Sequence, residues 1–479
     1  MLEKLSDYKW QIPKGSKQGQ NVPGIVFASE KMMKHIENDN CLEQVANVAC
    51  LPGVVTSSLA MPDIHWGYGF PIGGVAATDI SAGGIISPGG VGYDINCGVM
   101  LLRSTLSRED LIDKIEDLTG SLYNFIPTGV GSKGSIRLDD KQLKRVVKIG
   151  AKWVVERGYG REEDLEFMEE RGCLRENDPK LLSYKALKRG QPQLGTLGSG
   201  NHFIEIQVVE KVFNSLAADQ FGLCEGMITV MIHSGSRGLG YQVCDDSIRN
   251  LRKGGSKFNF ELPDKQLVCA PFSSALGEEY FYAMNCAANY AWANRLCLAH
   301  LVRGAFEKSF RKSAKHLSLE VVYDVAHNIA KIEEYEIEGK MKKLCVHRKG
   351  ATRAFPEGEK SLPESYRKIG QPVLVPGDMG SCSYVLVGEK KAREETFSSV
   401  CHGAGRVMSR IEALRRFNLS ELLADLKDKG VFVLSYGKRT LVEEAPDAYK
   451  DVEDVVDIVE KAGLASKVVR LKPLGVIKG

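Results

Sequence analysis

The sequence lacks the features that would place the chain in a strongly charged, membrane-bound or secreted class. Its net charge is only +3, from 64 Lys and Arg against 61 Asp and Glu, so overall charge favours neither nucleic acid nor membrane binding. No run approaches the roughly 20 apolar residues of a membrane span. The first residues, MLEKLSDYKWQIPKG, have no apolar signal-peptide centre. We therefore expect a cytoplasmic protein without a membrane partner.

The sequence also lacks the patterns that divide or crosslink a chain. Its 12 cysteines form no CxxC pair and no disulfide-like framework, as expected in a reducing compartment. Most, such as Cys286 and Cys297 in an apolar helical run, are expected to be small core residues. Internal repeats, low-complexity tracts and Pro/Ser-rich hinges are absent as well. We therefore predict one large domain over 1–479, with 276–313 as a candidate helical excursion from it.

Hydrophobic periodicity predicts helices and short strands in an irregular order. Helical patterns occur at 30–50, 107–119, 139–157, 276–313, 408–427 and 451–462, with Ser107 and Asp110 placed as a capping box. Strand-like runs occur at 98–104, 203–209, 227–234, 319–327, 372–377, 383–388 and 431–436. Without regular βαβ alternation, this order predicts an α+β fold with mixed sheets.

Three of the nine histidines lie at the ends of predicted strands, where sites are often built. His202 opens a strand, and His233 and His327 each close one. A single histidine at such a place is a hydrogen-bonded structural residue about as often as it is a ligand. Asp94 and Cys97, in YDINCG within a segment that has glycines at 89, 90, 92 and 98, raise the number of candidate ligands to five. Imidazole and thiolate suit zinc, cobalt or iron, whereas carboxylate suits manganese or magnesium, so the metal stays open. Five ligands could hold two ions with the thiolate between them.

A second candidate site surrounds His402 in SSVCHGAGRVMSR. Gly403 and Gly405 let backbone N–H groups approach an anion, Arg406 and Arg410 add positive charge, and a helix begins next. The alternative is a structural histidine at a helix start. Basic clusters at 141–153, 184–193, 303–316 and 339–353 are usually solvated faces. With the anion sites and the ligands, they favour a phosphate-bearing polymer as partner.

Several motifs together resemble the RtcB family of RNA ligases. They are GGVGYDINCGV, LGTLGSGNHFIEI, HSGSRGLG, DVAHN, HRKGATRA, PGDMGS, CHGAGRVMSR, EEAPDAYKDV and RLKPLGVIKG. The resemblance implies an α+β fold around a deep metal-containing cleft. It also implies joining of RNA 2′,3′-cyclic phosphate or 3′-phosphate ends to 5′-hydroxyl ends with GTP and two Mn²⁺ ions, in tRNA splicing and RNA repair. A monomer and the activator archease are further expectations.

The resemblance assigns a role to each candidate residue. Cys97 would bridge two manganese ions, with His233 and His327 completing one site and Asp94 and His202 the other. His402 would be the nucleophile that becomes guanylated, and Asp63 would take part in opening the cyclic phosphate. Nucleotide contacts are implied for Asn201, Glu205, Asp378, Ser383, Gly403, Ala404, Gly405, Tyr449 and Lys478. RNA contacts are implied for Arg189, Arg237 and Arg410.

Two positions depart from the family pattern. Ile64 stands where the family often has glycine, which puts the backbone geometry around Asp63 in question. Asp378 stands where a serine is frequent, and a carboxylate there would alter guanine contacts or bring in another partner. Two other functions remain open from the residues alone. One is a binuclear metal-dependent phosphohydrolase that acts on terminal or cyclic phosphates, and the other is a metal-stabilised RNA-binding protein without catalysis.

Overall fold

Two large β-sheets organise the protein in a computed structural model that describes residues 2–479. The strands, in chain order, are β1 Glu3–Ser6, β2 Lys9–Ile12, β3 Gly24–Phe27, β4 Ser58–His65, β5 Ile72–Asp79, β6 Ile85–Ile86, β7 Gly98–Ser107, β8 Phe203–Val212, β9 Met227–Ser234, β10 Ala270–Pro271, β11 Glu320–Ala326, β12 Asn328–Ile337, β13 Lys340–Lys349, β14 Ala351–Arg353, β15 Pro372–Val375, β16 Ser383–Gly388, β17 Ser399–Cys401, β18 Phe432–Ser435 and β19 Ala465–Lys478. The first sheet has the order β1-β2-β3-β4-β5-β13-β12. The second has the order β11-β7-β9-β8-β19-β16-β15, with β18 beside β19.

Helices cover the sheets and separate their strands in the sequence. They are α1 Glu30–Ile36, α2 Cys41–Val48, α3 Ile115–Phe125, α4 Asp140–Ile149, α5 Ala151–Glu156, α6 Glu162–Glu166, α7 Tyr184–Gly190, α8 Ser215–Phe221, α9 Arg237–Gly254, α10 Ala275–Phe310, α11 Lys390–Glu395, α12 Arg410–Arg416, α13 Leu419–Asp428, α14 Lys438–Glu443 and α15 Val452–Lys461. Most strand pairs are antiparallel, while β3 and β4, and β18 and β19, are parallel. The predicted α+β fold with mixed sheets is confirmed. Among the described residues, no helix has the length and apolar character needed to cross a membrane.

The longest helix, α10, lies inside the protein instead of forming an excursion from it. Its 36 residues begin after the N-cap Ser274, whose side chain accepts a hydrogen bond from the backbone N–H of Gly277. Its middle is buried on all sides in the largest hydrophobic cluster, against α3, α4, α5 and α9. A helix that is apolar around its whole circumference is expected at such a central place. The excursion predicted at 276–313 is therefore wrong.

Several predicted helices are shorter than their sequence patterns. The predicted capping box at Ser107 does not begin a long helix. Ser107 ends β7, the Asp110 carboxylate accepts its N–H at 2.8 Å, and α3 begins only at Ile115. The pattern at 139–157 is broken into α4 and α5 at Gly150, which has a φ of 57°. The helical pattern of apolar residues extends beyond α3 and across Gly150, because this pattern depends on which residues are buried and not on backbone dihedral angles.

Candidate active site

A cleft of about 1030 Å³ opens where strands of both large sheets end. Its walls include His65 at the end of β4 in the first sheet, and Glu205 in β8 and Lys478 in β19 in the second. Asp94, Cys97, His233, His327 and His402 also line it. Candidate ligands and the candidate nucleophile therefore face one shared space.

The five predicted metal ligands converge into two groups that share one thiol. Cys97 Sγ lies 3.3 Å from His233 Nε2 and 3.4 Å from His202 Nε2. His233 Nε2 lies 3.4 Å from His327 Nε2, and His202 Nε2 lies 3.0 Å from Asp94 Oδ2. Within each group, Cys97 with His233 and His327 or Cys97 with Asp94 and His202, the ligand atoms lie within 4.8 Å of one another. The thiol is thus placed between two candidate ion sites.

Strand pairing brings these ligands together across large distances in sequence. Strand β9 lies between β7 and β8, so that His233 pairs with Val99 on one side and Phe203 on the other. On the far side of β7, β11 ends beside Gly98, one residue before His327. The beginning of β7 therefore carries Cys97 into the space between the strand ends that carry the histidines.

The protonation states of the ligands suit a cation. Burial, together with neighbouring imidazoles, lowers the pKa of His233 and of His327 well below the usual histidine value, so both rings are neutral and have a lone pair. Burial opposes ionisation of Asp94, but the hydrogen bond and charge of His202 hold its pKa at about 2. Burial raises the pKa of the Cys97 thiol well above its usual value, so a bound cation would replace its proton.

Hydrogen bonds behind the ligands fix their orientation. His202 Nδ1 lies 3.0 Å from the carbonyl oxygen of Leu197, and donation there directs Nε2 towards Asp94 and Cys97. Asp94 Oδ1 accepts from the backbone N–H of Ser236 at 3.0 Å. A Cβ atom at Gly235 would lie 2.3 Å from Asp94 Oδ2, so only glycine permits this carboxylate position. The donor set and its orientation fit divalent metal ions.

His402 is paired with Asp63, a residue 339 positions away in sequence. Asp63 Oδ2 accepts from His402 Nδ1 at 2.6 Å and from the His402 backbone N–H at 2.9 Å. Because a carboxylate accepts from Nδ1–H, the neutral ring has its lone pair on Nε2. The ring centroid lies 4.9 Å from that of His327. His402 thus offers a free nitrogen beside the ligand cluster.

The backbone around Asp63 is ordinary at Ile64 and tightly packed at Gly405. Ile64 is a buried residue of β4 outside the left-handed region, a conformation that suits a β-branched side chain. The sequence-based question about its backbone geometry is therefore answered. Gly405 has a φ of +75°, and a Cβ atom there would lie 2.2 Å from the Asp63 carbonyl oxygen. The close approach of the His402 loop to β4 depends on this glycine.

Most predicted nucleotide contacts line the cleft, namely Asn201, Glu205, Asp378, Gly403, Ala404, Gly405, Tyr449 and Lys478. Ser383 is instead buried behind it, where its hydroxyl accepts from the backbone N–H of Gly377 at 3.2 Å. The Asp378 carboxylate accepts from Gly380 N–H at 2.8 Å and from the Ser381 hydroxyl at 2.6 Å, so it stabilises its own turn.

Glu205 and Lys478 are two buried ionisable residues on this wall, and each influences the charge of the other. Burial raises the pKa of Glu205 to about 7, with the positive charge of Lys478 acting in the opposite direction. Burial also lowers the pKa of Lys478, against the charges of Glu444 and Glu205. A buried carboxyl near neutrality can donate or accept a hydrogen bond, which suits recognition of a polar base edge.

Of the three predicted RNA-binding arginines, one lines the cleft and two lie outside its lining. Arg410 lines the cleft and donates from Nε to Glu444 at 3.0 Å. Arg237 begins α9, where its Nε donates to the Thr196 hydroxyl at 3.3 Å, and Arg189 is exposed above the ring of Tyr241. Neither Arg237 nor Arg189 is among the described residues that line the cleft.

Two lining residues were missed as site residues. Glu444 is buried and accepts hydrogen bonds from Tyr449 and Arg410, with Arg406 Nη1 3.3 Å away. Lys450 donates to the carbonyl oxygens of Pro62 at 2.9 Å and Ile64 at 2.6 Å, on either side of Asp63. Both lie in EEAPDAYKDV, one of the motifs that resemble the RtcB family, but the charges of this motif alone do not distinguish a site from a solvated turn.

Comparison with known proteins agrees with the motifs. A sequence model of the family described as tRNA-splicing ligase RtcB matches residues 44–479. The chain is 54% identical over 479 residues to the tRNA-splicing ligase RtcB of Archaeoglobus fulgidus, covering 100% of this chain and 99% of that protein. It is 51% identical over 478 residues to the protein of that name from Thermococcus kodakarensis, again covering 100% and 99%. The sequence-based resemblance is confirmed, and the chain belongs to the RtcB family.

Proposed function

We propose that this protein is an RNA ligase of tRNA splicing and RNA repair that uses GTP and two Mn²⁺ ions. It would join 2′,3′-cyclic phosphate or 3′-phosphate ends to 5′-hydroxyl ends. The relatives named tRNA-splicing ligase RtcB support the ligase activity and the RNA substrate. The observation that carries the chemistry is the free Nε2 of His402, held by Asp63 beside two ligand groups that share Cys97.

The first step would be nucleophilic attack by His402. Asp63 accepts Nδ1–H, so the Nε2 lone pair can attack the α-phosphorus of GTP. A P–N bond forms, the P–O bond to pyrophosphate breaks, and the positive charge that develops on the ring is stabilised by the Asp63 carboxylate. Divalent ions held by Asp94, Cys97, His202, His233 and His327 would supply positive charge that neutralises the triphosphate and the leaving pyrophosphate.

The later steps transfer the guanylate to RNA and then release it. An oxygen of the RNA 3′-phosphate attacks the guanylate phosphorus, and the P–N bond to His402 breaks. The 5′-hydroxyl then attacks the activated 3′-phosphate, its proton is lost, and GMP leaves. A cyclic phosphate would first be opened by water, with cleavage of the bond to the 2′ oxygen, and we propose that Asp63 takes part in this hydrolysis.

Substrate recognition would be shared between residues that line the cleft and residues outside it. Glu205, Lys478, Tyr449 and the loop 403–405 are proposed to hold the guanine nucleotide, with Asn201, Asp378 and Ser383 shaping that wall. Arg410 is proposed to contact RNA phosphates from the lining, and Arg189 and Arg237 from outside it. A monomeric single domain in the cytoplasm, with archease as activator, completes the proposal.

Labelling with GTP tests the nucleophile. Incubation with α-labelled GTP and Mn²⁺ should give a covalent protein adduct, and His402→Ala should abolish both the adduct and joining of RNA ends. His316→Ala is a suitable control because His316 is an exposed loop residue outside the cleft, where its ring is hydrogen-bonded to the Ser313 hydroxyl. It should label as wild type does.

The same assay separates ligation from hydrolysis. A phosphohydrolase with this ligand set would release phosphate or open the ring without GTP and would not need His402. If wild-type protein with Mn²⁺ takes up no label while it releases terminal phosphate, the nucleotidyl-transfer proposal is wrong. Retention of GTP-dependent joining by His402→Ala would contradict the assignment of the nucleophile.

A further inference from the structure

The side chain of Arg295 is fully buried in the middle of α10, and each of its N–H groups has an acceptor. Nε and Nη2 donate to the two carboxylate oxygens of Asp324 at 2.7 and 2.8 Å. Nη1 donates to the carbonyl oxygens of Asn96 at 2.7 Å and Ser234 at 3.0 Å. The remaining Nη2 hydrogen bond goes to Asn96 Oδ1 at 3.2 Å.

The acceptors of Arg295 lie in three chain segments that carry candidate metal ligands. Asn96 immediately precedes Cys97, in a left-handed conformation with a φ of 54°. Ser234 immediately follows His233, and Asp324 lies in β11, the strand that ends just before His327. One guanidinium group therefore contacts all three segments, through the backbone carbonyl oxygens of Asn96 and Ser234 and through the side-chain carboxylate of Asp324.

We propose that Arg295, fixed by Asp324, is a positioning residue for both metal sites. The proposal rests on the metal centre of the proposed function and names what sets its geometry. Holding Asn96 fixes the shared thiolate of Cys97, while holding Ser234 and Asp324 fixes the strands that present the two histidines of one group. Because Cys97 belongs to both groups, movement of Asn96 changes both sites together.

Geometry explains the choice of arginine better than charge does. A lone buried cation beside a metal centre would repel the ions, but the bidentate Asp324 pair leaves the two side chains without net charge. The planar fork reaches acceptors in fixed directions, which a lysine ammonium on a flexible chain does not. A Cβ atom at Gly98 would lie 2.5 Å from the Val325 carbonyl oxygen and 3.0 Å from Arg295 Cζ, so a side chain after Cys97 would crowd both β11 and the guanidinium.

The same helix provides a matched control in Arg303. This arginine is buried and forms a bidentate pair with Asp164 at 2.7 and 2.6 Å, and its Nε donates to the carbonyl oxygen of Leu319 at 3.0 Å. None of these described partners adjoins a candidate ligand. Arg303→Lys thus disturbs an equivalent buried pair without touching the ligand segments.

Metal titration of Arg295→Lys and Arg303→Lys tests the proposal. Binding of Mn²⁺ is followed by electron paramagnetic resonance of the free ion, and binding of Co²⁺ by the thiolate-to-cobalt absorption band. Loss of outer hydrogen bonds typically weakens metal binding by about 10- to 100-fold. We expect a loss of this size at both sites in Arg295→Lys and wild-type affinity in Arg303→Lys, although thermal melting of both metal-free variants should show lowered stability.

The outcomes separate this proposal from the one on which it rests. Wild-type affinity in Arg295→Lys, or equal weakening in Arg303→Lys, overturns the positioning role while the metal centre stands. Failure of wild-type protein to bind either ion removes the metal centre itself. If Arg295→Lys does not fold, Asn96→Gly keeps the left-handed backbone and removes the Oδ1 contact with Arg295, together with the Nδ2 hydrogen bond to the Ala288 carbonyl oxygen at 2.8 Å. Weakened binding of both ions by this variant supports the proposal, and unchanged binding overturns it.

Discussion

Replacing Asp63 should slow the proposed guanylation of His402, to a different degree in each of two variants. In Asp63→Asn the amide oxygen can still accept Nδ1–H, but the hydrogen bond loses the negative charge. Hydrogen bonds to charged groups contribute about 1.5 kcal/mol more than neutral ones. Since the ring gains positive charge as Nε2 bonds to phosphorus, we expect this difference in the transition state, or about tenfold in rate.

Asp63→Ala removes the acceptor altogether. In the wild-type structure, Asp63 Oδ2 lies 2.6 Å from His402 Nδ1 and 2.9 Å from the His402 backbone nitrogen. In Asp63→Ala both N–H groups lose this shared acceptor. Loss of a charged acceptor in a buried place costs about 3 kcal/mol, which corresponds to a rate lower by about 150-fold. The ring would also be free to turn its reactive nitrogen away from the cleft.

The assay is single-turnover labelling with α-labelled GTP at saturating Mn²⁺. Asp39→Asn is a matched control because Asp39 also lines the cleft, where its carboxylate accepts from the backbone N–H of Trp66 at 3.1 Å and does not contact His402. It should label at the wild-type rate. Wild-type labelling by Asp63→Ala would refute the reasoning that this carboxylate holds the nucleophile.

Two further predictions concern buried charges. Glu444→Gln should raise the KM for RNA or GTP about tenfold with little change in kcat, because the neutral glutamine no longer holds Arg410 and Tyr449 by a negative charge. The control variant Arg439→Gln should have wild-type kinetics. Burial lowers the pKa of Lys349 from 10.5 to about 7, so its contribution to stability rises as pH increases through that interval. Between pH 7 and pH 9, wild-type protein should gain about 2 kcal/mol of unfolding free energy relative to Lys349→Met.

Kinetics and denaturation decide these two cases. If Glu444→Gln lowers kcat and leaves both KM values unchanged, Glu444 does not act by holding Arg410 and Tyr449 for substrate binding. For Lys349, the measurement is urea unfolding of both proteins at the two pH values. If the free energy of unfolding has the same pH dependence in wild type and Lys349→Met, burial does not lower the pKa of this lysine. In the structure its ammonium group donates to the carbonyl oxygen of Phe70 at 3.1 Å.

The fold could be predicted only in outline. Strand runs such as 227–234 were found because β9 is buried on both faces and is continuously apolar. Strand β13 was missed because its lysine-rich first half resembles a basic surface cluster. The role of α10 was misjudged for a related reason: a helix that is apolar on all sides looks the same whether it leaves the domain or fills its centre.

The sequence alone determined which chemical groups are available to the candidate site. It supplied three strand-end histidines, a carboxylate and a thiol in a bare loop, a histidine among glycines and arginines, and motifs sufficient to indicate the family. Only the tertiary structure decided which of these groups meet. The order β11-β7-β9-β8 places Cys97 between the histidines, and β4 brings Asp63 to His402. Such contacts depend on strand order and register, which involve residues hundreds of positions apart, whereas local patterns report only the burial of each segment.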